Sequence, residues 1–230
     1  MGEWVKLTMT DGHELPCYHV LPEGELAQSR RGGLVLVQEI FGVTEHIREL
    51  CEEYAGDGYE VISPSLFNRI EPGIELGYSG ADWERAVQIA RDEQPLERSL
   101  ADVETCLEWT HARGGPTFIV GYCYGGSLAW RMAQTCDLLD AASCYYGGHI
   151  ASRWAEEAPR CATITHFGRY DSMVPIEPVE KLIEKQHPTA QHFIYEAGHG
   201  FNSDRRKDYH PESAELAKQR TLMLFKALGG

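Results

Sequence analysis

The sequence predicts an α/β protein with a mostly parallel central sheet and helices on both faces. Short apolar runs typical of strands alternate along the chain with segments whose apolar residues recur at helical spacing. One of these runs, LVLV at residues 34–37, is continuously apolar, as expected of a strand buried on both faces. Regular alternation of strand and helix favours parallel strands joined by crossover helices.

The individual elements follow from local patterns. We predict strands over residues 5–9, 13–20, 34–37, 59–62, 116–120, 141–146, 162–167 and 192–195. The first two strands are joined by a turn at Asp11-Gly12. We predict helices starting after Thr44, over residues 81–93, after Pro95, directly after residue 123, around residues 179–183 and over residues 216–225. Residues 64–80 contain Pro, Gly and Asn and are predicted to form a loop.

Length and charge limit the possible functions. The 230 residues suit a single domain over 1–230. The formal net charge of -14 disfavours nucleic acid and anionic membranes as partners. The same charge repels anionic small molecules, so a site for one would need local cations.

The N-terminal segment and the cysteines indicate the compartment. We find no signal peptide and no membrane-spanning segment in the sequence. The seven cysteines are odd in number, are irregularly spaced and include no C-x-x-C pair. This pattern favours reduced thiols in a cytoplasmic protein, with neither a metal site nor an organic cofactor.

Residues 118–130, FIVGYCYGGSLAW, carry the most informative motif. An apolar strand runs into G-x-C-x-G, which is the nucleophile-elbow pattern of α/β-hydrolases with cysteine at the serine position. The turn would place Cys123 at a helix N-terminus, where the helix dipole and free N–H groups favour a thiolate. The alternative is that Cys123 is a buried structural cysteine. Ser127 lies too far past the tip of the turn to be favoured as the nucleophile.

A nucleophile needs a base and a residue that orients the base. Asp171 follows the predicted strand 162–167, and His199 follows the strand 192–195 between two glycines. Nucleophile, acid and histidine then occur in the chain order of α/β-hydrolases. Alone, Asp171 would be interpreted as a helix cap and His199 as a turn residue, but together at strand ends they predict a catalytic triad.

An oxyanion hole would complete this site. The N–H of Tyr124, directly after the candidate nucleophile, would supply one donor, and the loop QEIFG at residues 38–42 could supply the second. Glu39 is unusual here, because a carboxylate near the elbow should be desolvated or paired. The alternative is a surface glutamate.

Together these motifs resemble the dienelactone hydrolase family, the carboxymethylenebutenolidases, which are cysteine hydrolases of the α/β-hydrolase fold. The resemblance covers nearly the whole chain, through QEIFGV at 38–43, GYCYGG at 121–126, YYG at 145–147, Asp171 before Val-Pro, and AGHGF at 197–201. It implies Cys123 as nucleophile, His199 as base, Asp171 as its orienting partner, and the N–H groups of Ile40 and Tyr124 as the oxyanion hole. It also implies that Glu39 helps to convert the resting thiol into a thiolate when substrate enters.

The resemblance further implies residues that hold a substrate carboxylate. Tyr145 stands where the family has a substrate tyrosine, and Arg85 could match one family arginine. The second family arginine follows the catalytic histidine by four residues, where this sequence has Ser203, with Arg205 and Arg206 just beyond. Either arginine could take over this role, the substrate could lack a carboxylate, or residues 204–208 could be a solvated basic turn.

The expected function is therefore cysteine-dependent hydrolysis of an ester or lactone, most directly of dienelactone to maleylacetate through an acyl-thioester. A broader carboxylesterase or thioesterase with the same triad is the alternative within this chemistry. A non-catalytic binding protein of the hydrolase fold is the alternative outside it. We expect a monomer or a small homo-oligomer that acts on small molecules.

Overall fold

The computed structural model describes residues Gly2–Gly230, and its eight strands form one sheet. The strands are β1 Glu3–Thr8, β2 Glu14–Val20, β3 Gly33–Val37, β4 Glu60–Pro64, β5 Thr117–Tyr122, β6 Ala141–Tyr145, β7 Ala162–Gly168 and β8 Ala190–Tyr195. Their order across the sheet is β1-β2-β4-β3-β5-β6-β7-β8. The β1–β2 and β2–β4 pairs are antiparallel and all other pairs are parallel. This confirms the predicted α/β class with a mostly parallel sheet.

Eight helices connect and cover the strands. They are α1 Glu25–Gln28, α2 Glu45–Gly56, α3 Gly80–Gln88, α4 Leu96–His111, α5 Tyr124–Thr135, α6 Gly148–Ser152, α7 Ile176–Glu184 and α8 Pro211–Ala227. The sequence predicts one helix over residues 81–93, but α3 ends at Gln88 and a π-helical turn follows over Ile89–Glu93. The N–H of Gln94 closes this wider turn by donating to the carbonyl of Ile89 at 2.9 Å.

The core has two layers, one on each face of the sheet. Because side chains alternate along a strand, Val35 and Val37 of β3 point into one layer while Leu34 and Leu36 point into the other. Helices α4, α5 and α7 contribute buried residues to the first layer, and α2 and α8 contribute to the second. All four β3 side chains are fully buried, as the continuous apolar run predicts.

The parallel strands β3, β5, β6, β7 and β8 end at the same edge of the sheet. The loops that follow them carry Glu39, Cys123, Asp171 and His199, so the fold brings these separated residues to one place. No helix among Gly2–Gly230 is long and apolar enough to cross a membrane.

Candidate active site

Cys123 lies in a sharp turn between β5 and α5. Its backbone has φ 54° and ψ -109°, in a region that residues with a side chain rarely adopt. The Cys123 N–H donates to the carbonyl of Tyr145 at 3.0 Å, and the N–H of Gly125 donates to the carbonyl of Gln38 at 3.0 Å. These bonds fix the turn to the ends of β6 and β3. A Cβ at residue 125 would lie 2.3 Å from the carbonyl oxygen of Val37, so this close approach requires glycine.

The structure brings Cys123, His199 and Asp171 together in the predicted order. The Sγ atom of Cys123 lies 3.2 Å from Nε2 of His199, and Nδ1 of His199 lies 2.7 Å from Oδ2 of Asp171. Oδ1 of Asp171 accepts from the N–H groups of Met173 at 2.8 Å and Val174 at 2.9 Å. Since the Asp171 side chain is fully buried, these bonds hold it in one orientation toward the imidazole.

The electrostatic setting of His199 favours its charged form. Burial opposes the imidazolium, but Cys123 and Asp171, which lie on its two sides, outweigh burial and raise the pKa of His199 to about 10. The ring also packs edge to face on Tyr146, at 5.2 Å between ring centroids. The raised pKa describes a ring that faces a Cys123 thiolate, so the imidazolium is favoured once the Sγ proton has moved to Nε2.

The two expected oxyanion donors lie at the same cavity as the thiol. Ile40 and Tyr124 line a cavity of about 550 Å³ that also contains Cys123 and His199. None of the hydrogen bonds described for Gly2–Gly230 is donated by the N–H of Ile40 or by the N–H of Tyr124. Tyr124 is the first residue of α5, where an N–H has no partner within the helix. Both residues thus border the cavity with N–H groups that have no acceptor among these bonds.

Glu39 is buried beside this site, and only one of its two carboxylate oxygens has a hydrogen-bond partner. Its Oε1 accepts from Nη1 of Arg206 at 2.8 Å, whereas its Oε2 is buried without a hydrogen-bond partner. The Arg206 side chain passes over Gly200 to reach Glu39. The φ of Gly200 is 75°, and a Cβ at this position would lie 2.5 Å from Nε of Arg206. Glu39 is thus a paired, buried carboxylate and not a surface glutamate.

The structure places Tyr145 away from the cavity, contrary to its expected role in substrate binding. Its side chain is fully buried and its hydroxyl lies 3.0 Å from Oγ1 of Thr221 in the core. The neighbouring Tyr146 is the tyrosine that contacts His199, because the chain turns at Tyr146 with φ 38° at the end of β6. Neither Tyr145 nor Tyr146 lines the cavity, and both side chains are fully buried.

The expected substrate arginines are engaged by carboxylates. Arg85 does not line the cavity, and it pairs with Glu93, whose Oε2 lies 3.0 Å from Nη2. Arg205 is paired with Asp204 and with Glu49, the latter at 2.7 Å. Arg206 is paired with Glu39. Arg205 and Arg206 line a separate cavity of about 350 Å³, which shares His199 with the larger one.

Several cavity residues are not foreseen from the sequence. The walls of the larger cavity include the apolar Val87, Leu96 and Met173 together with Arg91, His149 and Arg153. No short motif marks these residues, because they come from α3, the π-helical turn, α4, α6 and connecting loops, which only the fold brings together. Within the described residues, no group of three or more His, Cys, Asp or Glu side chains could hold a metal ion.

A larger open cleft of about 990 Å³ between α2 and α8 contains none of the three triad residues.

Comparisons with known proteins identify the family of this chain. The sequence model of the Dienelactone hydrolase family matches residues 15–229. The chain is 32% identical to the "Putative carboxymethylenebutenolidase" of Escherichia coli (strain K12), over 96% of this chain and 85% of that protein. It is 28% identical to "Carboxymethylenebutenolidase 1" of Cupriavidus pinatubonensis, over 99% and 98% of the two chains. A crystal structure of a "Putative Dienelactone Hydrolase" from Klebsiella pneumoniae superposes with a TM-score of 0.82 at 29% identity, covering 98% of each chain.

Proposed function

Because the chain belongs to the dienelactone hydrolase family and is a hydrolase of esters or lactones, we propose that it acts through a cysteine nucleophile and that its substrate is an enol-lactone such as dienelactone. The observation that carries this proposal is the continuous hydrogen-bonded chain from Sγ of Cys123 through His199 to Asp171, at 3.2 and 2.7 Å. This is the geometry that a nucleophile and its base require.

The proposed reaction begins with transfer of the Sγ proton of Cys123 to Nε2 of His199, directly or by way of Glu39. The sulfur attacks the carbonyl carbon, and the negative charge that develops on the carbonyl oxygen is stabilised by the N–H groups of Ile40 and Tyr124. The C–O bond of the ester then breaks, His199 returns its proton to the leaving oxygen, and a thioester remains on Cys123. Asp171 keeps the imidazole in the required tautomer throughout.

Hydrolysis of the thioester completes the cycle. His199 takes a proton from water, the hydroxide attacks the acyl carbon, and the C–S bond breaks to release the acid and regenerate the thiol. With dienelactone the released oxygen stays attached to the acyl chain, and the product is maleylacetate. No step needs a metal or an organic cofactor.

Glu39 is assigned to activation of the thiol. Its support is the buried Oε2 atom, which has no partner in the resting protein, and the shared neighbourhood of Glu39 and Cys123, both of which act electrostatically on Tyr146 and Arg206. An unpaired buried carboxylate oxygen carries a desolvation cost. Accepting a proton as substrate enters would remove that cost.

The test is kcat/KM for dienelactone and for a small neutral aryl ester, with Cys123→Ala as the blank. We expect turnover of dienelactone that is lost in Cys123→Ala, and an ester pulse followed by mass measurement should add one acyl group on Cys123. Cys123-dependent turnover of the neutral ester alone would favour the broader esterase or thioesterase. Neither turnover nor a mass shift would reject the cysteine mechanism and favour a non-catalytic protein.

A further inference from the structure

Strand β8 lies at one edge of the sheet, and its outer side is open. The carbonyl of Tyr195 accepts from the N–H of Arg169, which follows β7, at 2.8 Å. Since alternate residues of a strand bond to the same neighbour, the N–H and C=O groups of His192 and Ile194 point away from β7. Outside the β7–β8 ladder, no backbone hydrogen bond described for Gly2–Gly230 involves either residue.

The two outer strands of the sheet differ in their protection against pairing with another chain. The edge strand β1 carries the charged residues Glu3 and Lys6, and charges are a common protection of outer strands. The sequence of β8, AQHFIY, contains no charged residue and no proline. Phe193 and Ile194 at its centre are only partly buried, whereas β3, β5 and β6 are buried at every residue. β8 is therefore suited to accept a further strand.

Helix α8 presents an exposed apolar stripe on the side of β8. Arg220 marks this side of the helix, because its guanidinium carbon lies 4.0 Å from the centre of the Phe193 ring in β8. Leu216, which is 40% exposed, and Met223, which is 70% exposed, lie at helical spacing from Arg220. Two large apolar side chains are thus left in solvent beside the open edge of the sheet.

The two ends of this helix carry opposite charges. Glu212 is exposed in the first turn of α8, and Lys226 is exposed in the last turn. Neither forms an ion pair with another residue among Gly2–Gly230. The two charges lie at equal distances before and after Gln219, and Leu216 and Met223 lie at nearly equal distances from it. The helix surface is therefore complementary to an antiparallel copy of itself, acid to base and apolar to apolar.

One two-fold axis satisfies both the strand and the helix. Antiparallel pairing of two β8 strands about Phe193 sets His192 of one copy opposite Ile194 of the other, and each such pair exchanges both of its N–H···O bonds. Arg220, next to the midpoint of α8, packs on that same Phe193 ring and donates to the Tyr195 hydroxyl at 3.0 Å. An axis through Phe193 thus passes beside the midpoint of α8 and makes the two α8 helices antiparallel.

We infer that the protein forms a two-fold symmetric dimer in which β8 pairs antiparallel with β8 of a second copy and α8 packs antiparallel on the second α8. Leu216 then contacts Met223 of the other copy, and Glu212 lies beside the other Lys226. A second copy of the chain fits better than a strand of another protein, because the strand and the helix are each self-complementary about the same centre. The inference does not depend on the proposed reaction.

Sedimentation velocity tests the assembly directly. The wild type should have twice the chain mass of 25.9 kDa at micromolar concentration. Leu216→Glu/Met223→Glu places carboxylates opposite each other across the axis, and Ile194→Pro removes an outward N–H without breaking the β7–β8 ladder. Each variant should raise the Kd of the dimer by about 10-fold or more, with an unchanged circular dichroism spectrum. A wild type that stays monomeric up to about 100 μM would overturn the inference.

The matched control is Trp4→Glu/Leu21→Glu, which adds the same negative charge at two apolar residues, each 50% exposed, at the opposite edge of the sheet. Its dimer Kd should equal that of the wild type. A dimer that is unaffected by Leu216→Glu/Met223→Glu, or that is weakened equally by the control, would place the interface elsewhere and overturn the inference.

Charge exchange tests the antiparallel arrangement. Glu212→Lys alone sets lysine against lysine at both ends of the helix pair, and Lys226→Glu alone sets glutamate against glutamate. Each variant should dimerise about 10-fold more weakly than the wild type. An equal mixture of the two variants should form mixed dimers with nearly wild-type affinity, because each contact then joins a lysine to a glutamate. The absence of a preference for mixed dimers would overturn this arrangement.

Hydrogen exchange reports on the strand itself. The N–H groups of His192 and Ile194 should exchange at least about 10-fold more slowly in the wild-type dimer than in Leu216→Glu/Met223→Glu. The N–H groups of Gln191 and Phe193 bond to β7 and should be protected in both proteins. Equal exchange of the Ile194 N–H in the dimer and in the monomeric variant would overturn the pairing of β8.

Discussion

Arg206 donates a hydrogen bond of 2.8 Å to Oε1 of Glu39, while Oε2 of the same carboxylate is buried without a partner. The Glu39 side chain is 1% exposed and the Arg206 side chain 13% exposed, so little solvent reaches the pair. A buried ion pair that satisfies only one carboxylate oxygen is weak evidence for a purely stabilising role. A part in the proposed reaction is the alternative role.

Glu39→Gln tests this role, since glutamine keeps the shape and an acceptor for Arg206 but removes the charge. We expect kcat/KM for the neutral ester to fall by about 10- to 100-fold, because assistance to thiol deprotonation is lost. The control is Glu53→Gln, which removes an exposed carboxylate paired with Lys218. Wild-type kcat/KM in Glu39→Gln together with a lower Tm would assign Glu39 a structural role only.

Asp171→Asn should disable His199 while leaving the fold in place. The amide oxygen can still accept from the N–H groups of Met173 and Val174, but the amide nitrogen would face Nδ1 of His199 and favour the wrong tautomer. We expect kcat to fall by about 100- to 10,000-fold with a small change in KM. Asp137→Asn, at an exposed residue paired with Arg160, should leave kcat unchanged. A loss below threefold in Asp171→Asn would contradict the orienting role.

Acid should destabilise the protein through His166. Burial lowers the pKa of this fully buried imidazole to about 3, with the charge of Arg220 adding to the effect, against an ordinary value of 6.5. The unfolded chain therefore binds the proton first, so the stabilising contribution is present above pH 6.5 and is lost as pH falls toward 3. Between pH 7 and pH 5 the contribution should fall by about 2 kcal/mol.

Urea unfolding of the wild type and His166→Gln at pH 7 and pH 5 checks this expectation. Glutamine cannot be protonated in this range, so the variant should be less stable at pH 7 but should lose less of its free energy of unfolding on acidification. The pH dependence shared by both proteins comes from other groups and cancels in the comparison. Identical losses in the two proteins would show that His166 is not the group responsible.

Gly125→Ala should disrupt the turn at Cys123. The added Cβ would lie 2.3 Å from the carbonyl oxygen of Val37 and 2.6 Å from that of Gln38, and neither backbone atom can move without displacing the end of β3. We expect a loss of about 3 kcal/mol or more in the free energy of unfolding, together with loss of activity. Gly56→Ala is the matched control, because nothing lies within 4 Å of its added Cβ at the end of α2. It should be neutral or stabilising by up to about 1 kcal/mol.

The sequence predicts best those structural features that depend on a local sequence pattern. The run LVLV at 34–37 falls in β3, and the strand-to-helix turn at Cys123 lies where G-x-C-x-G indicates. Parallel strands that end at one edge bring residues from distant loops together, so the order along the chain was sufficient to predict that Cys123, Asp171 and His199 meet. The split of the predicted helix 81–93 into α3 and a π-helical turn was not predictable, since periodicity does not reveal a single wider turn.

The sequence does not predict which arginines pair with which carboxylates. Arg85 and Arg205 appear as available as Arg91 in the sequence, because their acidic partners are recognisable only once the chain is folded. Glu49 is 156 residues from Arg205, and no local pattern links them. Tyr146 contacts His199 from a turn of positive φ after β6, and no local sequence pattern marks this turn.

Of the seven cysteines, six are buried and only Cys123 is partly accessible. In the folded protein a bulky thiol reagent should therefore titrate one sulfur per chain, at the centre of the candidate site. After unfolding the same reagent should count seven. The stoichiometry of labelling thus also measures sample integrity: the labelling above one equivalent per chain, divided by the six buried cysteines, is the fraction of chains that have lost their core.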